Sequence, residues 1–278
     1  MIDSMKPEWK KTHTIYWSDE LNDDFNKIDG VQENPELPKD YHYLHKNGFL
    51  RTWDNFLYYV IAKPILGLYC FFHGIRWKNK HNLKRLHGKG AFIYANHVAI
   101  ADAFKFQSYI IGRKRVDIIG FSNASSIPFA KGLVKSLGYL PIPTENDYDN
   151  LIKLKEAVEV YIKKRKQYVL IYPEAHIWPY YTKIRDFKSV SFYYPAQLLA
   201  PIIPVVTVWR KVWYSKKPKQ TVVFGRPIYP DPSLTTNENR DFLCEECKKQ
   251  MNHLANSYKQ YEYIKYIKVD KKEEKTEE

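Results

Sequence analysis

From residue 89 onward, short apolar runs alternate with stretches whose apolar positions recur at helical spacing, and this rhythm limits what the chain can fold into. Residues 91–95, 116–121, 139–142, 168–172, 202–209 and 221–228 read as strands. Helical patterns separate the earlier ones, over 102–111, 128–137 (opened by Pro128), 150–166 and 187–199. In the third of these, Leu151, Leu154, Val158, Tyr161 and Ile162 form a single apolar stripe. Thr235 and Glu238 have capping-box spacing ahead of a last helix, whose inner face is Leu243, Cys247, Met251, Leu254 and Tyr258. Strands alternating with helices predict an α/β fold: a mixed, mostly parallel sheet flanked by helices.

The most apolar window, residues 56–75, lies ahead of this domain and approaches the length of a membrane span. Lys63-Pro64 interrupts it, and proline inside a helix removes a hydrogen bond and clashes with the preceding turn. The expectation is two short helices dipping into one leaflet. Arg76, Lys78, Lys80, Lys84 and Arg85 follow, a basic cluster suited to anionic headgroups. The expected organisation is a polar N-terminal arm (1–41), a membrane-associating helical segment (42–88), an α/β domain (89–262) and a charged, disordered tail (263–278).

Charge and aromatic content narrow the partners. Lys and Arg number 44 against 31 Asp and Glu, a net charge of +13, and aromatics make up 16% of the chain. A basic, aromatic surface suits nucleic acid, an anionic bilayer or an acidic carrier. The basic residues are dispersed and no nucleic-acid motif is present, so no nucleic-acid partner is expected. Three cysteines and no signal-peptide pattern point to a reducing, cytoplasmic setting. Cys244 and Cys247 lack a second pair at zinc spacing, and no metal or cofactor is expected. A Gly-x-Ser-x-Gly elbow and a Gly-rich phosphate loop are both missing from the sequence.

Chemistry concentrates at strand ends. Asn96 and His97 follow the strand 91–95 directly, and Asp102 comes five residues after His97. Histidine can take a proton near neutral pH, and a carboxylate on its second ring nitrogen fixes the tautomer and stabilises the imidazolium. Five residues along one helix turn through roughly 500°, which would point the two side chains apart. They meet only if His97 lies in the loop and Asp102 opens the next helix. Tyr172-Pro173-Glu174 likewise ends the strand 168–172, and Pro201-Ile202-Ile203-Pro204-Val205 opens another.

In this order, these blocks resemble the glycerophospholipid acyltransferase family, which includes 1-acylglycerol-3-phosphate acyltransferase. Its first block (the HxxxxD motif) is matched by Asn96, His97 and Asp102, and its second by Pro128, Gly132 and Gly138. Its third is matched by Tyr172, Pro173 and Glu174, and its fourth lies around Pro201–Val205. Phe187-Lys188 and Gly225-Arg226-Pro227 also correspond. Three departures stand out. Ala175, His176 and Ile177 replace Gly-Thr-Arg, Thr144 stands where an Arg is usual, and the run 122–127 lacks the usual Lys. Those cations would grip an acceptor phosphate, so nearby Lys131, Lys183, Arg185 or Lys188 must substitute, or the acceptor differs.

The resemblance implies acyl transfer from acyl-CoA or acyl carrier protein to the hydroxyl of a lysophospholipid or other glycerol-based acceptor in phospholipid biosynthesis. His97 would be the general base and Asp102 its orienting partner. Asn96, Glu174, Lys131, Arg185 and Lys188 would contact substrate. The enzyme would sit peripherally or monotopically on the cytoplasmic face of a membrane. The altered third block leaves a second possibility, a lipid-binding member that kept the fold and lost catalysis.

Overall fold

All six apolar runs read as strands enter one seven-stranded sheet, and Arg76–Lys78 joins it at an edge. The computed structural model describes residues 9–25, 35–39, 41–44, 48–99, 102–108, 114–122 and 131–270. The strands are β2 (Arg76–Lys78), β3 (Ala91–Ala95), β4 (Val116–Phe121), β5 (Tyr139–Ile142), β6 (Tyr168–Ile171), β7 (Ile202–Val212) and β8 (Ser215–Phe224). Their spatial order is β2-β8-β7-β3-β6-β4-β5. Every neighbouring pair is parallel except the β7–β8 hairpin. The fold is therefore mixed α/β with a mostly parallel sheet, as the alternation predicted.

Central β3 and β6 are buried at every position, which is why they read as unbroken apolar runs. Pro141 sits in β5, an edge strand, where the missing N–H costs no ladder bond. Gly138 precedes β5 at φ +89°, and a Cβ there would lie 2.3 Å from Asp117 Oδ1. That contact explains the glycine at this point of the second block.

The main helices are α4 (Asp102–Lys105), α5 (Lys131–Ser136), α6 (Tyr148–Glu159, continuing as a π-helical stretch Val160–Lys164), α7 (Tyr193–Leu198) and α8 (Thr236–Asn256). A short α1 spans Trp9–Thr12. The Thr235–Glu238 capping box opens α8, and Leu243, Cys247 and Met251 are buried beneath it. The free thiols Cys70, Cys244 and Cys247 are all buried.

Three expectations are corrected. The apolar segment is not two helices broken at Pro64. Helix α2 (Gly48–Phe56), a π-helical stretch Leu57–Ala62 and α3 (Lys63–Phe72) form one continuous helix of 25 residues. The Lys63 N–H reaches back five residues to the Tyr58 carbonyl, and this wider turn accommodates the Pro64 ring. Nor is the N-terminal arm loose where it is described. Strand β1 (Thr14–Trp17) pairs in parallel with β9 (Lys265–Lys268), which lies within the stretch expected to be a disordered tail. Leu37 and Tyr41, at the end of the arm, belong to the main core. Residues 271–278 of the tail lie outside the described residues.

The long helix lies on the domain by a narrow face. Tyr58 Oη accepts the Val116 N–H at 2.8 Å, and Lys63 Nζ donates to the Lys114 carbonyl at 3.0 Å. Ser136 Oγ donates to Asp54 Oδ1 at 2.8 Å. The opposite face exposes Phe49, Leu50, Trp53, Phe56, Val60, Ile61, Ile65, Leu68, Phe71 and Phe72. This is the inverse of a soluble amphipathic helix, with polar groups turned inward and apolar ones outward.

Candidate active site

The carboxyl ends of β3, β6 and β7 converge on one loop cluster, the place where open α/β sheets hold their ligands. Asn96 carries the β3 ladder one step beyond the strand. Its Oδ1 accepts the Thr207 N–H at 2.7 Å, and its Nδ2 donates to the Thr207 carbonyl at 3.1 Å. The loop start is thereby fastened to β7, and His97 follows with its side chain 13% exposed.

Asp102 is fully buried at the first position of α4, and the loop wraps around its carboxylate. Oδ2 accepts the Val98 N–H at 2.7 Å and the Ala99 N–H at 2.8 Å. The same oxygen lies 3.3 Å from His97 Nδ1. His97 is thus in the loop and Asp102 at the helix start, the arrangement that the spacing required. An imidazole donating Nδ1–H to Asp102 keeps its lone pair on Nε2. The Tyr172 ring stacks on His97 with centroids 4.2 Å apart and planes 15° apart, and its hydroxyl donates to the Asp102 carbonyl. Burial holds the Tyr172 phenol well above its ordinary pKa, so it stays a neutral donor.

Lys105, one turn further along α4, is missing from the sequence reading. Its buried ammonium pairs with Asp102 Oδ1 and donates to Thr207 Oγ1 at 2.7 Å and Gln220 Oε1 at 3.2 Å. Burial works to raise the Asp102 carboxyl, but the Lys105 ammonium and His97 outweigh it and hold the group below its ordinary value. The i, i+3 spacing of Asp102 and Lys105 on one helix was visible in the sequence, but the partners Thr207 and Gln220 were not.

A second buried ion pair supports the loop from the β6 side. Glu174 Oε2 accepts the His97 N–H at 3.1 Å, and Oε1 accepts the Arg185 N–H at 3.0 Å. The Arg185 guanidinium lies 3.4 Å from Glu174 Oε2, bonds the His176 carbonyl, donates to the Glu20 carbonyl at 3.2 Å and packs over the Trp178 ring. Burial pushes the Glu174 carboxyl upward, opposed by Arg185 and the two N–H donors. Trp178 N and Tyr180 N donate to the His97 and Val98 carbonyls at 3.1 and 3.0 Å, so the loop after Glu174 runs alongside the loop that carries His97.

A family model described as Acyltransferase matches residues 74–208, a span containing every residue just described except Glu20 and Gln220. Over this span the chain is similar to the acyltransferase family. No curated protein sequence matches it. Among solved structures, 8 chains match. One is the 1-acyl-sn-glycerophosphate (LPA) acyltransferase PlsC from Thermotoga maritima, with a TM-score of 0.52 and 16% identity. The match covers 78% of this chain and 87% of that one, and at this identity the likeness is one of fold.

In the structure the anticipated site residues separate into groups. His97 and Asp102 come together. Asn96, Glu174 and Arg185, anticipated as substrate contacts, have polar atoms engaged inside the protein, and all three are buried. Lys188 is exposed on the chain leading to Ser189–Phe192. Lys131 begins α5, and its side chain lies outside the described residues, as does Pro128. Among the described residues no group of His, Cys, Asp and Glu could hold a metal ion.

Proposed function

We propose that this protein is an acyltransferase that moves a fatty acyl group from a thioester, acyl-CoA or acyl carrier protein, to the hydroxyl of a lysophospholipid or other glycerol-based lipid. The observation that carries the reading is the His97–Asp102 contact at the carboxyl end of β3. His97 Nε2 takes the proton from the acceptor hydroxyl, and the oxygen attacks the thioester carbonyl. The C–S bond breaks, and the thiolate leaves with the proton returned by the imidazolium. Asp102 holds the ring and stabilises its charged form. Glu174 and Arg185 act by positioning the loop that carries His97.

His97→Ala should abolish acyl transfer by the purified protein while leaving thermal unfolding unchanged, a loss of about 10³-fold or more. The second reading, a lipid-binding member without catalysis, is favoured by Ala175-His176-Ile177 replacing the usual third-block residues. Absence of transfer by wild-type protein across acyl-CoA and carrier-protein donors would select it.

The protein works on the surface of a bilayer, on the cytoplasmic side, without crossing it. The helix Gly48–Phe72 is long and apolar enough to span. Its inner face, however, is tied to the domain at Asp54, Tyr58 and Lys63, so its outer face lies along the membrane plane. The expected result is sedimentation with membranes and release by detergent rather than salt. Complete release in high salt would reduce the attachment to electrostatics.

A further inference from the structure

We infer that the β7–β8 hairpin is a second membrane contact, an aromatic and basic tip that enters the headgroup layer of an anionic bilayer beside the long helix. Val212 pairs with Ser215, leaving Trp213 and Tyr214 as the two-residue connection. Such connections ordinarily carry Asn, Asp or Gly, which suit both the turn and water. Here Trp213 is 96% exposed and Tyr214 57%, with their rings in edge contact. Between Arg210 and Gln220 the chain has five cations (Arg210, Lys211, Lys216, Lys217 and Lys219) and no acidic residue. Apolar rings with polar tips, ringed by lysines, match the boundary between acyl chains and anionic headgroups.

The tip's position commits it to the bilayer. Arg210 Nη2 donates to the Gly74 carbonyl at 2.5 Å, just past the end of α3. The Tyr214 hydroxyl lies 3.6 Å from where a Gly74 side chain would begin. The hairpin is therefore docked against the end of the helix whose last residues, Phe71 and Phe72, are about three-quarters exposed. Helix face and hairpin tip make one continuous surface. Two contacts separated along that surface fix the rotation of the domain on the membrane, which a single helix cannot do.

The inference rests on the reading that the Gly48–Phe72 helix lies on the bilayer, and the test keeps the two apart. Wild type, Trp213→Ser/Tyr214→Ser and Lys216→Gln/Lys217→Gln would be sedimented with phosphatidylcholine vesicles, with and without added phosphatidylglycerol. The aromatic variant should partition roughly tenfold more weakly on both vesicle types. The lysine variant should lose roughly fivefold per charge removed, and only on the anionic vesicles. Thermal unfolding and transfer between detergent-dispersed substrates should match wild type. Wild type that fails to bind vesicles would overturn the membrane reading and the hairpin with it. Wild type that binds, with both variants equal to it, would overturn the hairpin contact alone. Vesicle binding unchanged, with a rate loss confined to carrier-protein donors, would assign the tip to the acidic donor and also overturn it.

Discussion

Asp102→Asn should lower turnover about 10²–10⁴-fold, because the imidazole loses the charge that orients and stabilises it. The variant should also lose stability. Asp102 is also the counter-ion of the buried Lys105, and an amide cannot neutralise an ammonium with no exposure to water. An unpaired buried charge costs about 3–5 kcal/mol, so Asp102→Asn should show a lowered melting temperature as well as lost turnover. The double variant Asp102→Asn/Lys105→Met removes the stranded charge. It should recover most of the melting temperature and none of the turnover. Recovery of turnover in the double variant would remove Asp102 from the chemistry, and an unaltered melting temperature in the single variant would show that the Lys105 pair contributes nothing to the fold.

Arg185→Leu should cost a comparable amount, about 3–5 kcal/mol, because it strands the Glu174 carboxylate in a site with no exposure. Glu174→Gln should cost a similar amount, since an amide cannot neutralise the buried Arg185 guanidinium and its oxygen can accept only one of the two N–H groups. Through His97 N–H, both changes loosen the catalytic loop, so kcat should fall along with stability. A guanidinium that gripped an acceptor phosphate would behave differently: its loss would raise KM for a phosphorylated acceptor while the melting temperature stayed put. Thermal unfolding and steady-state kinetics on the same preparation distinguish the two roles.

Strand-by-strand, the core was legible because period and burial coincide. The run 91–95 is apolar throughout and is buried throughout, and the α8 cap follows from two residues three apart. The helix at 56–75 was misread at Pro64, because a π-turn is a backbone adjustment that no side-chain pattern announces. His97 and Asp102 could be paired from strand and helix signals alone. The roles of Glu174 and Arg185 could not, since a strand-end carboxylate and a basic residue 11 positions later look the same facing substrate or facing each other. The strand Lys265–Lys268 was invisible for a related reason. Four residues with two lysines become a strand only when β1, from the opposite end of the chain, is there to pair with them.

That pairing ties the site to the order of synthesis. Tyr266 of β9 stacks on Trp178 and bonds the Pro179 carbonyl, while Trp17 and Phe25 close on the same indole from the N-terminal side. Trp178 and Arg185 lie in the loop that runs against His97. During translation the indole keeps one side uncovered until residues 265–268 leave the ribosome, so the loop beside His97 gains its full cover only when the two distant strands meet.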